Sequence, residues 1–193
     1  HLVSHTSGIR DNWSQMPYAD GDSPYALGDY LEGYLVVGGD WYYAEDNFFT
    51  SLPGLQFEYG NIGTALAGYV VESAVERPFD DYCDEFIFDV LSMTQTGWHL
   101  SDFDPSLVAM PYRYENGQHV AVGHYGYPDY PDGQLRSSVN DLARFLAAVS
   151  NQGELDGAQL LTPQVVSEML SAQEPSVDSG QFVFWYESTL AGR

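Results

Sequence analysis

Apolar residues recur at helical spacing in five stretches of this chain, and turn residues separate them. Leu27, Leu31, Tyr34 and Leu35 share one helix face. Ser23-Pro24 offers a cap and a first helical residue, and Gly38-Gly39 a stop. Ile62, Leu66, Tyr69, Val70 and Ala74 predict a second helix that ends before Arg77-Pro78. Pro78 opens a third, with Phe79, Tyr82, Phe86, Val90 and Leu91 on its inner stripe. Ser138 and Asp141 form a capping-box-like pair ahead of Leu142, Phe145, Leu146 and Val149, and Gly153 ends that helix. Thr162-Pro163 starts a short helix through Val166, Met169 and Leu170.

The middle, about 94–133, is rich in Gly, Pro, Tyr and Asp. Asn116-Gly117 followed by His119 to Val122 predicts a hairpin turn and a short strand. Phe182 to Tyr186 reads as a buried strand. No internal repeat or low-complexity segment stands out. These elements predict a mainly α fold with a small β part, in one truncated domain over 1–193. Residues 1–175 form a mainly helical region with a loop and hairpin insert at about 94–133. Residues 176–193 begin a sheet region.

Charge narrows the partners. The 193 residues hold 28 Asp and Glu against six Arg and no Lys, a net charge of −22. Nucleic acid demands a basic face, and anionic membranes attract one, so neither is an expected partner. The acids are spread along the chain, as on a well-hydrated surface. No apolar run approaches the ~18 residues that span a bilayer, so no membrane insertion is expected in this segment. The amino end has neither the basic start nor the apolar run of a signal peptide, and the chain reads as a piece of a longer protein. Cys83 stands alone, without an intrachain disulfide partner. Its apolar-periodic surroundings predict a buried structural thiol.

Two Tyr-x-Asn triplets are candidates for chemistry. Tyr114-Glu115-Asn116 runs into Gly117, so a turn explains it. Tyr59-Gly60-Asn61 follows the Pro53-Gly54 turn and immediately precedes a helix, where a phenol and an amide can be held rigidly. Other patterns have structural readings. Ser138-Val139-Asn140 is a helix cap, and Ser7 is a local hydrogen-bonder. His1 and His5 have the i, i+4 spacing of a metal pair but lack a third ligand. Asp20-Gly21-Asp22 begins like a calcium loop, yet Pro24 and Leu31 occupy ligand positions. His99, His119 and His124 are expected exposed or locally bonded. No metal site and no cofactor is expected.

Pro53 to Gly63, around Tyr59-Gly60-Asn61, resembles the second motif of serine β-lactamase-like proteins, which include class C β-lactamases, DD-peptidases and related esterases. Four further segments resemble the family in the expected order: His1 to Ile9 with its Ser4 to Ile9 core, Leu91 to Thr96, Gly133 to Leu146, and Gly153 to Pro163. The resemblance implies the helical domain of the β-lactamase/transpeptidase-like fold plus the start of its antiparallel sheet. It implies acyl-enzyme hydrolysis of a β-lactam, a peptidoglycan-derived peptide or an ester. It implies Tyr59 as the catalytic proton-transfer phenol and Asn61 as the substrate-positioning amide. It also implies a periplasmic or extracellular location.

In that family a Ser-x-x-Lys supplies the nucleophile and a Lys-Thr-Gly or similar triplet the third wall. A chain without Lys contains neither amine. The 193 residues alone are therefore expected to be inactive, with both motifs outside them. A non-catalytic binding module on the same fold is the alternative.

Overall fold

The computed structural model describes residues 1–188. The last five residues of the expected sheet region, 189–193, lie outside the described residues. Helices dominate. They are α1 (Leu27–Leu35), α2 (Ala44–Asn47), α3 (Asn61–Val75), α4 (Phe79–Cys83), α5 (Val139–Ser150) and α6 (Pro163–Met169). Among the described residues six short strands pair as three two-stranded antiparallel ladders. β1 (Ala19–Asp20) pairs with β4 (Tyr125–Gly126), β2 (Tyr112–Glu115) with β3 (Gln118–Ala121), and β5 (Glu154–Leu155) with β6 (Ala158–Gln159).

The core gathers around α1 and α3. Leu27, Tyr30, Leu31 and Tyr34 of α1 are buried against Ile62 and Ala65 of α3, with Cys83, Phe88, Leu91 and Met93 closing the far side. Burying a side chain of this size stabilises by about 1.5–3 kcal/mol, so the apolar faces of α1 and α3 hold this half together. The cap of α1 differs from expectation. Ala26 occupies that position without a side-chain bond, and the Ser23 hydroxyl accepts from Tyr25 N instead.

The third predicted helix forms, but with a different face. After α4 the chain makes a π-turn over Asp84–Phe88, closed by Asp89 N donating to Asp84 O at 2.8 Å. A π-turn inserts one extra residue, so the buried series steps from Cys83 to Phe88 rather than by four. Phe86 and Val90, expected inside, are exposed as a result.

The hairpin forms at Asn116-Gly117, where both residues take positive φ, +49° and +84°. This is the pattern of a two-residue type I′ turn. Ser138 caps α5 by accepting from Asp141 N at 3.1 Å, and Thr162 caps α6 by accepting from Val165 N. The Asp141 carboxylate does not fold back to complete a capping box. It accepts from Gln95 N at 2.6 Å and from the Thr96 hydroxyl at 3.0 Å, which fastens α5 to the 91–96 turn.

Phe182 to Tyr186 is not a single strand. Gln181 and Tyr186 form an antiparallel bridge around a turn, with Phe182 N donating to Trp185 O. Phe184 takes a φ of +56°, which a continuous strand excludes. His99 is half-buried and pairs with Asp80 at 3.1 Å, a contact between separate elements rather than a local one.

Candidate active site

Tyr59 and Asn61 sit where the chain enters α3. Gly60 is the capping residue in extended conformation, and Asn61 is the first helical residue. A helix start leaves backbone N–H groups without partners. Gly60 has no side chain to satisfy them, and Asp11 does so from fifty residues away. Its carboxylate accepts from Asn61 N at 2.9 Å and from Ile62 N at 3.1 Å. The same carboxylate takes the Asn61 side-chain amide at 2.9 Å. A negative charge here also suits the positive end of the helix dipole. Asp11 thus fixes both the direction of α3 and the rotamer of Asn61.

His5 fixes Tyr59 from the other side. Its ring lies 4.6 Å from the Tyr59 ring. Gly60 N donates to His5 Nδ1 at 3.4 Å, and Glu58 N donates to His5 O at 2.8 Å. Burial lowers the His5 pKa, with Asp11 opposing, so a neutral ring is favoured. The 4–9 segment and the Tyr59 triplet, two of the segments that carry the family resemblance, are therefore bonded to each other. His5 has left its i, i+4 partner: His1 instead contacts Thr6 and Glu174.

Two cavities meet at Tyr59. The larger, about 500 Å³, is mostly apolar and includes Val3, Ala67, Val71, Phe79, Phe184 and Tyr186. The smaller, about 300 Å³, includes Asn61 with Trp13, Tyr18, Tyr125, Tyr127 and Asp129. Tyr59 and Asp132 line both. The Tyr59 side is half open, with the residue 50% exposed. Burial raises the Tyr59 pKa, and the neighbouring Tyr186, Asp132 and Asp11 raise it further. No positive charge among the described residues counters them.

The turn that carries Asp129 and Asp132 packs closely on α3. A Cβ added at Gly68 would meet Pro131 Cβ at 2.9 Å, so glycine there permits the approach. Asp129 is fully buried, and neither of its carboxylate oxygens receives a hydrogen bond from an N–H or hydroxyl donor among the described residues. Its close neighbour is the Asp132 carboxyl. Burial first, then the Asp129 charge, hold Asp132 far above the usual carboxylate range, at about 9. Burial raises Asp129 as well.

The structure brings Tyr59 and Asn61, the two residues singled out from the sequence, together at the start of α3, and sets beside them Asp11, Asp129 and Asp132, which the sequence reading did not single out. A signal for the last two was present: Tyr127-Pro128-Asp129 repeats at once as Tyr130-Pro131-Asp132. Tyr114-Glu115-Asn116 lies in the exposed hairpin, away from this site. Among the described residues no group of three His, Cys, Asp or Glu is spaced to hold a metal ion, and no helix is long and apolar enough to cross a membrane.

A mainly helical body with a Tyr-Gly-Asn helix start at a cleft places the chain in the fold of the β-lactamase-like serine hydrolase superfamily, and solved structures agree. A penicillin-binding protein homologue from Pyrococcus abyssi superposes with a TM-score of 0.61 at 24% identity, covering 89% of this chain and 38% of its own. D-amino acid amidase from Ochrobactrum anthropi, solved with L-phenylalanine amide, gives 0.67 at 21% identity, covering 87% and 45%. Simvastatin synthase from Aspergillus terreus gives 0.66 at 21%, covering 92% and 43%. The chain spans less than half the length of each of these three. A search of curated protein sequences found no match. The family model for Beta-lactamase matches residues 1–183, and the chain belongs to that family.

Proposed function

We propose that this chain is the Tyr-x-Asn-bearing part of a serine hydrolase that works through an acyl-enzyme. Tyr59 is its proton-transfer phenol and Asn61 its substrate-positioning amide. The observation that carries the reading is Tyr59 itself: a half-exposed phenol on a rigid helix start, in the wall between two cavities, with Asn61 lining one of them. Substrates of this site are acyl compounds such as a β-lactam, a peptidoglycan-derived peptide, an amide or an ester. Family resemblance supports action in the periplasm or outside the cell.

The electrostatics support the expectation that the 193 residues alone do not turn over. A free phenol ionises near pH 10. To take a proton from a serine near neutrality it needs adjacent positive charge. Here every resolved influence on Tyr59 pushes the other way. Arg cannot replace a lysine as proton carrier, because it stays protonated. On this reading the nucleophile and a positive charge beside Tyr59 are supplied from outside these 193 residues.

The test uses nitrocefin and p-nitrophenyl acetate. The 193-residue chain should show no turnover above buffer. The longer gene product should show it, and Tyr59→Phe should cut kcat by about 10²–10⁴-fold, the usual weight of one acid–base group. Hydrolysis by the 193 residues alone that Tyr59→Phe abolishes would overturn the predicted inactivity. A longer protein that binds but never hydrolyses would replace the enzyme with a binding module.

A further inference from the structure

The smaller cavity holds an unusual combination. Asp129 is fully buried with two oxygens that no N–H or hydroxyl donor among the described residues reaches. An unpaired buried carboxylate is costly, and such a group calls for a partner. Asp132 faces it within hydrogen-bonding reach, so a proton shared between the two carboxyls is what relieves their repulsion, and Asp11 adds further negative charge from the α3 cap. None of the ion pairs among the described residues involves Asp11, Asp129 or Asp132.

Most of the remaining wall is aromatic, with Met16 and Asn61 among the rest. Pairing of β1 with β4 brings Tyr18 to 5.8 Å from both Tyr125 and Tyr127, edge to face. Trp13, Tyr18 and Tyr125 are each about half exposed or more, so this side is open to solvent. Ring faces attract organic cations and offer nothing to a small anion. A carboxyl pair at the base of an aromatic box is complementary to a protonated amine.

We propose that the cavity between Tyr59 and Tyr127 binds a protonated primary amine, with Asp129 and Asp132 as its counter-ions. The amine has two possible sources. One is the substrate of the reaction proposed above; the other is a lysine side chain from chain outside this segment. The first source rests on the proposed enzyme; the binding chemistry itself does not. When an ammonium enters, the proton held between the two carboxyls leaves to solvent and the ammonium takes its place.

The probe is n-butylammonium, titrated by calorimetry into the 193-residue chain at pH 8 and about 0.15 M salt, where exposed charges are largely screened. Saturable binding is expected, with n-butanol failing to bind. Asp129→Asn and Asp132→Asn should each weaken it at least tenfold, while Glu115→Gln on the exposed hairpin should leave it within twofold. Both Asn variants remove a carboxyl that burial disfavours, so they should melt no lower than the parent chain, which separates lost binding from lost folding. The longer gene product distinguishes the sources: it binds n-butylammonium if the amine belongs to substrate, and excludes it if an internal lysine fills the cavity. Binding that ignores both Asn substitutions, or that n-butanol matches, overturns the inference. The ester and nitrocefin assays are independent of this titration. A 193-residue chain that fails to bind the amine refutes only the cavity, and a longer gene product that fails to turn over refutes only the enzyme.

Discussion

Replacing Asp11 by alanine removes a cap that α3 cannot supply for itself. Three N–H donors lose their acceptor at once: Asn61 N, Ile62 N and the Asn61 side chain. Loss of a helix cap costs about 1–2 kcal/mol, the lost charge at the helix start about 0.3–1 kcal/mol, and the side-chain bond about 1 kcal/mol. Together they give about 3 kcal/mol. For a domain of this size 1 kcal/mol moves the melting temperature by about 2–4 °C, so Asp11→Ala should melt about 6–12 °C lower. Asp11→Asn keeps one acceptor and loses the charge, and about half that drop is expected. Circular dichroism melts give the numbers, and hydrogen exchange at the Asn61 and Ile62 amides locates the effect. If Asp11→Ala melts within 1 °C of the parent chain, Asp11 is not the cap of α3 and the account of how Asn61 is held is wrong.

Two further outcomes follow from buried or paired groups. The Asp80 hydrogen bond raises the His99 pKa, and the His99 hydrogen bond lowers that of Asp80. The histidine's stabilisation is therefore present below its unfolded value near 6.5 and lost as pH rises through the higher folded one. The carboxylate's is present above its unfolded value near 4 and lost as pH falls through the lower folded one. Urea melts of His99→Ala against the parent chain should thus differ most near pH 5–6, by about 1 kcal/mol, and converge by pH 9; a constant difference across that range would refute the pairing. Burial pushes the Cys83 thiol up to about 12, so it should ignore Ellman's reagent at pH 8 and react fully in urea. Rapid labelling of the folded chain would contradict its burial.

What the sequence disclosed and what it hid divide along a physical line. Local signals were read correctly where they act locally: the Thr162 and Ser138 caps, the Asn116-Gly117 turn, and the buried stripe of α1. The α4 stripe failed because one π-turn breaks a 3.6-residue period, and no residue type announces a π-turn. Phe182 to Tyr186 has strand composition, but a tight turn at Phe184 overrode it. Within the site, Tyr59 and Asn61 were visible because neighbours in sequence made the motif. Asp11 was invisible because its partners lie fifty residues on, and Asp129 because its meaning is tertiary: only burial without a donor distinguishes it from the chain's many solvated acids.

Tyr59 forms part of the wall of two chambers at once. A ligand that fills the apolar chamber presses on the same ring that bounds the chamber holding Asn61. Occupancy of one is therefore communicated to the other through the side chains the two share, Tyr59 and Asp132, and two ligands that each fit alone will compete or cooperate according to where the Tyr59 ring comes to rest. Compounds built to bridge both chambers would displace the ring altogether, and their affinity would measure how firmly His5 holds it.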